Sequence, residues 1–271
     1  MPKIKANNIE LYYQETKGQK ETIVFAHGYL MNNTMFDGQI NALKKHFNCI
    51  AYDHRGHGQS DAPTDGYELE NLTNDAIALI ESLGSKPVHF VGMSTGGFVG
   101  MRIALQRPEL LKSLVLMDTS AERDSPSTLR QNYFLLWVVK YIGWFPAIRQ
   151  VMALLFHSTF LKDKSRNAEQ HKWKDAVTKQ DKRGLILFGK GIFARKAVLE
   201  QLPQISLPTL VLVGEYDQAT PPAYSQRMVE KIKDATLAII PDSGHSCAVE
   251  KPKLVADAML DFYKEKGLVL E

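Results

Sequence analysis

The sequence predicts an α/β fold: a mostly parallel central sheet flanked by helices, with a block of helices inserted late in the chain. Three observations carry this. Short continuous apolar runs, at residues 22–26, 47–52, 88–91, 114–117 and 210–213, alternate with longer stretches of helical periodicity. Runs of that kind suit strands buried on both faces, as in a parallel sheet covered by helices. A strand also passes directly into a helix through Gly92-Met93-Ser94-Thr95-Gly96. Finally, the alternation stops near residue 122 and resumes near 202, so we expect a core of residues 1–121 and 202–271 and an inserted helical cap of 122–201.

In chain order, Asn7-Asn8 separates two strand candidates, and Glu10 to Glu15 alternates at period two, as an antiparallel edge hairpin does. Lys17 to Glu21 reads as a charged turn. Thr22 to Ala26 is a buried strand that turns away at His27-Gly28-Tyr29-Leu30. Asn33 opens a helix ending near Lys45, and Phe47 to Tyr52 is the next buried strand. Asp53-His54-Arg55-Gly56-His57-Gly58-Gln59-Ser60 holds two histidines and a carboxylate. It is glycine-rich loop without the helical spacing of a metal site, so no metal role is assigned. Glu68 to Leu83 is an amphipathic helix stopped by Gly84.

Past Pro108, Leu114 to Met117 is a further strand, followed by Asp118. Ser125-Pro126 is a helix start, a capping hydroxyl followed by proline at the first helical position. That helix should run to Ile142 and stop at Gly143. Residues 133–139 are apolar on every face, which predicts burial on both sides, between the core and a pocket. Lys140, Gly143, Pro146 and Arg149 interrupt it well short of the roughly 20 apolar residues of a membrane span. Further helices are expected at 146–156, around Trp173 and at 185–193. Strand 210–214, a helix from Pro222 to Lys233, a strand ending at Ile240 and a final helix over 253–264 complete the core.

The chemistry is concentrated at Ser94. A sharp strand-to-helix turn exposes the serine hydroxyl, and the following helix aims its free N–H groups at the same point, which suits a developing oxyanion. Downstream, Asp217 follows strand 210–214 in Gly214-Glu215-Tyr216-Asp217, and His245 follows strand 237–241 in Asp242-Ser243-Gly244-His245. Ser, Asp and His in that order, each just past a strand, form a nucleophile, orienting acid and base set. Asp118, also at a strand end, is the rival acid.

On these motifs the chain resembles the α/β-hydrolase superfamily from about residue 9 to residue 265. Within it, the chain is most similar to small arylesterases and cofactor-free haloperoxidases, then to 3-oxoadipate enol-lactonases, which usually carry Gly-x-Ser-Met-Gly-Gly; Thr95 stands in place of that Met. The resemblance implies Ser94, Asp217 and His245 as the catalytic triad, with the backbone N–H groups of Tyr29 and Thr95 as the oxyanion hole. It implies a structural turn at 53–60 and a backbone-bonding role for His27. The expected activity is cleavage of a small-molecule ester or lactone, with no metal or organic cofactor. Serine at 94 argues against dehalogenase and epoxide hydrolase chemistry, which need a carboxylate nucleophile. A slow-turnover small-molecule receptor of the same fold is the reading from another class.

Pocket candidates are Trp137 and Met152, from the two apolar cap helices that also carry Phe134, Leu136, Val151 and Phe156, together with Ala219 just past Asp217. The whole-chain charge of +3 is too small to argue for nucleic acid. It is unevenly spread: residues 122–200 hold 15 Lys and Arg against 7 Asp and Glu, a net of +8, which leaves −5 elsewhere. That excess is a solvated face, a means of drawing in anionic substrates, or a means of meeting an acidic surface. Cys49 and Cys247 read as reduced thiols, Cys247 as a small apolar filler. With no apolar leader at the N-terminus, a cytoplasmic location is expected.

Overall fold

The structure, a computed structural model, describes residues 2–17, 21–84 and 86–269. The middle of the charged turn at 17–21 lies outside the described residues. Eight strands among those residues form one sheet: β1 (Lys3–Ala6), β2 (Ile9–Thr16), β3 (Thr22–Ala26), β4 (Asn48–Tyr52), β5 (Val88–Met93), β6 (Leu111–Met117), β7 (Thr209–Gly214) and β8 (Ala235–Ile240). Their spatial order is β1-β2-β4-β3-β5-β6-β7-β8. The pairings of β1 with β2 and of β2 with β4 are antiparallel, and the remaining five are parallel. The expected hairpin is there, with β1 at one edge of the sheet and β2 paired on both sides.

Helices cover both faces. These are α1 (Asp37–Leu43), α2 (Leu69–Leu83), α3 (Thr95–Gln106), α4 (Pro126–Tyr141), α5 (Ile148–Leu155), α6 (Ser158–Lys162), α7 (Asn167–Thr178), α8 (Lys182–Phe193), α9 (Pro222–Lys231), α10 (Cys247–Glu250) and α11 (Pro252–Glu265). One face of the sheet packs against α2, α3 and α9, through Leu72, Val99 and Met228. The other packs against α1 and α11, through Leu43, Val255 and Met259. Every residue of β3, β5 and β7 is buried. Each fully buried Val, Leu or Phe there contributes roughly 1.5–3 kcal/mol, which is why these strands carry no polar–apolar alternation.

Local signals account for the helix ends. Gly84 closes α2 at φ 67°, a left-handed conformation that costs glycine little. The Ser125 hydroxyl accepts the Thr128 N–H at 3.1 Å and caps α4, with Pro126 at the first helical position. Between β6 and β7 the strand–helix alternation gives way to the helices α4 to α8.

One expectation is corrected here. Helix α4 is not buried on all sides: Leu136, Val138 and Val139 are, whereas Tyr133, Phe134, Trp137 and Tyr141 face solvent. An all-apolar stretch reveals no direction of burial, and only one side of α4 meets the rest of the protein. Among the described residues, no helix is long and apolar enough to cross a membrane.

The 53–60 segment is a hydrogen-bonded turn. Asp53 accepts the Asn33 N–H and side-chain amide through Oδ1 (2.8 and 2.7 Å) and the Gln59 N–H through Oδ2 (2.9 Å). Arg55 forms two 2.6 Å bonds to Asp75 in a buried ion pair. The ring of His27 donates to the Gly28 carbonyl (2.7 Å) and accepts the His54 N–H (3.0 Å), while His57 Nε2 accepts the Leu30 N–H (3.2 Å). Burial pulls the pKa of each of the three rings below the usual histidine value, which holds them neutral as backbone struts. Cys49 and Cys247 are both buried free thiols.

Candidate active site

Ser94 sits between β5 and α3 at φ 50° and ψ −109°, outside the comfortable regions for a residue with a Cβ. The turn is possible because its neighbours are glycines. A Cβ on Gly92 would come within 2.2 Å of the Gly96 carbonyl oxygen, and one on Gly96 within 2.0 Å of that of Ala26. The strained serine is held from both sides. Its N–H donates to the Met117 carbonyl at 2.8 Å, and its carbonyl accepts the Thr119 hydroxyl at 2.7 Å. Leu30, Asp118 and Asp242, in the loops that follow β3, β6 and β8, also have positive φ. Strain of this kind persists only where surrounding structure enforces it.

The three polar partners meet there. The Ser94 hydroxyl lies 3.0 Å from His245 Nε2, and His245 Nδ1 lies 2.9 Å from Asp217 Oδ2. With Nδ1–H donating to the carboxylate, Nε2 is left to accept the serine proton. Asp217 is itself fixed by the N–H groups of Ala219 (2.8 Å) and Thr220 (2.9 Å) and by the Thr220 hydroxyl (2.8 Å). Asp217 is almost fully buried.

Burial alone would raise the Asp217 pKa; the opposing His245 charge and these hydrogen bonds outweigh it and hold the group below the usual carboxylate range. Burial alone would lower the His245 pKa, and the charge and hydrogen bond of Asp217 carry it above the ordinary value instead. Asp118 is turned elsewhere. Its Oδ1 accepts the Gly214 N–H at 2.8 Å and its Oδ2 the Cys247 N–H at 3.1 Å.

The serine opens on a cavity of about 370 Å³ lined by Tyr29, Ser94, Ala219 and His245, with α4 and α5 forming much of its wall. Tyr29 is anchored by its phenol, which donates to the Leu185 carbonyl (2.7 Å) and stacks on Phe188 at 5.6 Å. Thr95 is the first residue of α3, so its N–H belongs to the opening turn that has no acceptor within the helix. The wall departs from expectation in two places. Trp137 is 51% exposed on the outer side of α4 and does not touch the cavity. The faces of α4 and α5 that do reach it are those of Leu136 and of Val151, Leu154 and Leu155. Met152, about 100° around the helix from Val151, turns into the core, as does Phe156.

Several contributors carried no motif. Thr220, three residues after Asp217, is a detectable turn signal in hindsight, since Asp readily caps the N–H groups that follow it. Glu250 accepts the N–H groups of Gly244 and His157, both at 2.9 Å, and so steadies the loop bearing His245. No spacing rule points to it. The same holds for the polar wall residues Gln131, Asn132 and Arg195.

The chain belongs to the α/β-hydrolase family: the family model described as alpha/beta hydrolase fold matches residues 21–252. Among curated proteins it is similar to 3-oxoadipate enol-lactonase 2 of Acinetobacter baylyi, 28% identical over 250 residues, covering 92% of this chain and 91% of that one. Among solved structures it is similar to a thermophilic esterase from Thermogutta terrifontis, with a TM-score of 0.90 at 25% identity, covering 98% and 99% of the two chains. An enol-lactonase from Burkholderia xenovorans LB400 superposes with a TM-score of 0.89 at 26% identity, covering 97% and 100%.

Proposed function

We propose that this hydrolase-family chain is a serine esterase that cleaves short- to medium-chain carboxylic esters through an acyl-enzyme. The observation that carries the reading is the unbroken relay of 3.0 and 2.9 Å from Ser94 through His245 to Asp217, opening on the cavity. In this mechanism His245 Nε2 removes the Ser94 proton as the oxygen attacks the ester carbonyl, and Asp217 holds the tautomer and stabilises the imidazolium. The tetrahedral oxyanion is held by the N–H groups of Tyr29 and Thr95; loss of one such donor typically costs about 3–4 kcal/mol of barrier lowering. His245 then protonates the departing alcohol, activates water against the acyl-serine, and releases the acid.

Residues 122–201 act in this reading as a cap whose α4 and α5 form the acyl wall, and Ala219 contributes to the substrate-binding surface. The substrates are small molecules, and the setting we propose is cytoplasmic. A lactone undergoes the same chemistry with the alcohol tethered to the acyl group. The lactonase names of two similar proteins support that second reading. A panel of p-nitrophenyl esters and lactones, run with wild type and Ser94→Ala, tests both. Turnover of neither class, or a stoichiometric burst followed by a stall, would reject the enzyme reading in favour of a receptor.

A further inference from the structure

Among the described residues, the exposed large hydrophobic side chains are concentrated in one place. Nine such side chains are exposed among those residues, and six of them lie between residues 133 and 145: Tyr133, Phe134, Trp137, Tyr141, Ile142 and Phe145. Phe145 is 95% exposed and Phe134 64%. Leaving such side chains in water costs stability, so a contiguous cluster marks a surface that meets something. The cluster is ordered. Phe134 stacks on Trp137 with ring centroids 6.2 Å apart, and Trp137 contacts Tyr141 at 5.6 Å. At spacings of three and four these residues form one stripe along α4, on the side away from the cavity.

Along the sequence the stripe is flanked by cations. Arg130 falls one turn before Phe134 on the same stripe, Lys140 lies over the Tyr141 ring at 4.8 Å, and Arg149 follows just beyond Phe145; all three are exposed. From Ser125 to Lys162 the chain contains no Asp or Glu. A second copy of this chain, docked face to face on a twofold axis, would bring these cations against their own counterparts. Aromatic residues with Trp and Tyr among them, mixed with Lys and Arg, instead match the interface of an anionic bilayer. There the rings sit at headgroup depth and the cations meet the negative surface.

We propose that the outer face of α4 and the turn after it form a peripheral docking surface for anionic phospholipid membranes. Docking by this face sets the membrane against the outside of the helix whose inner side lines the cavity. The proposal stands apart from the ester reading, because vesicle binding is read without substrate.

The test is co-sedimentation with phosphatidylcholine vesicles prepared with and without phosphatidylglycerol, at low and high salt. Wild type should sediment with the phosphatidylglycerol vesicles at least about tenfold more than with phosphatidylcholine alone, and high salt should release it. Phe134→Ser/Phe145→Ser and Lys140→Glu/Arg149→Glu should each lower the bound fraction by about tenfold or more, with an unchanged unfolding midpoint. Equal binding by wild type and both double variants would overturn the proposal, as would binding indifferent to phosphatidylglycerol. A wild-type dimer that the Phe134→Ser/Phe145→Ser variant splits, with no vesicle binding by either, would assign the face to a second copy instead.

Discussion

Asp118 and Asp217 are both buried and both feel the charge of His245, yet their carboxyls are pushed in opposite directions. Burial, and then the Asp217 charge, raises Asp118 to about 8. Asp217 is driven below its ordinary value by the imidazole it holds and by Thr220. The geometry accounts for the split: one carboxyl is paired with the Nδ1 of His245, while the other accepts the neutral N–H groups of Gly214 and Cys247, which oppose its rise without cancelling the effect of burial.

This division assigns the acid of the proposed relay. Asp217→Asn should lower kcat on p-nitrophenyl butyrate by on the order of 10⁴, because an amide cannot enforce the productive tautomer. Asp118→Asn should stay within about tenfold of wild type, since it touches no reacting atom. An inactive Asp118→Asn beside a near-normal Asp217→Asn would exchange the two roles.

The pH profile follows from His245. Its pKa is raised above 6.5, and only the neutral ring accepts a proton, so kcat/KM should fall on the acid side with a midpoint above that value. Removing the neighbouring charge in Asp217→Asn should move the residual activity's acid limb to lower pH. A limb that stays in place would mean that His245 does not titrate as the base.

Stability should report on Asp118 independently of activity. Its folded-state pKa of about 8 lies above the ordinary aspartate value of 3.8, so the native state keeps a proton that the unfolded chain releases earlier. The resulting stabilisation is fully present below the lower value and is lost as pH rises toward 8. Asn at 118 has no such proton. The unfolding midpoint of wild type relative to Asp118→Asn should therefore fall between pH 5 and pH 8. A constant difference across that range would contradict the raised pKa.

Acyl length tests the cavity. Each buried methylene adds up to about 0.8 kcal/mol of binding until the space is filled. In about 370 Å³, activity should rise from acetate to butyrate or hexanoate and collapse by laurate. Leu136→Ala, which cuts into the wall formed by α4, should move the optimum to longer chains and cost about 2–5 kcal/mol of stability. An unshifted optimum, or a maximum at laurate, would place the acyl group elsewhere.

What the sequence made legible follows from how narrowly physics constrains each feature. Gly92 and Gly96 must lack a Cβ for the turn at Ser94 to exist, so the turn is written in residue types. Strands β3 and β7 are buried on both faces and therefore appear as unbroken apolar runs. The walls of the cavity were harder to read. Whether Trp137 or Leu136 looks inward depends on how α4 is rotated against the rest of the protein, which apolar composition does not encode. The rotation of α5 separates Met152 from Val151 in the same way. Arg195 and Gln131 reach the cavity from helices and loops by tertiary packing alone, without any local pattern.

The most direct test of the proposed chemistry is covalent labelling at Ser94. Wild type treated with diethyl p-nitrophenyl phosphate should gain the mass of one diethylphosphoryl group, located by peptide mapping on Ser94, in step with loss of esterase activity. Ser94→Ala should neither gain that mass nor hydrolyse p-nitrophenyl butyrate above background, and His245→Ala should label far more slowly. Hydrolysis that persists in Ser94→Ala, or a label found on another residue, would contradict a nucleophilic Ser94 and with it the acyl-enzyme mechanism.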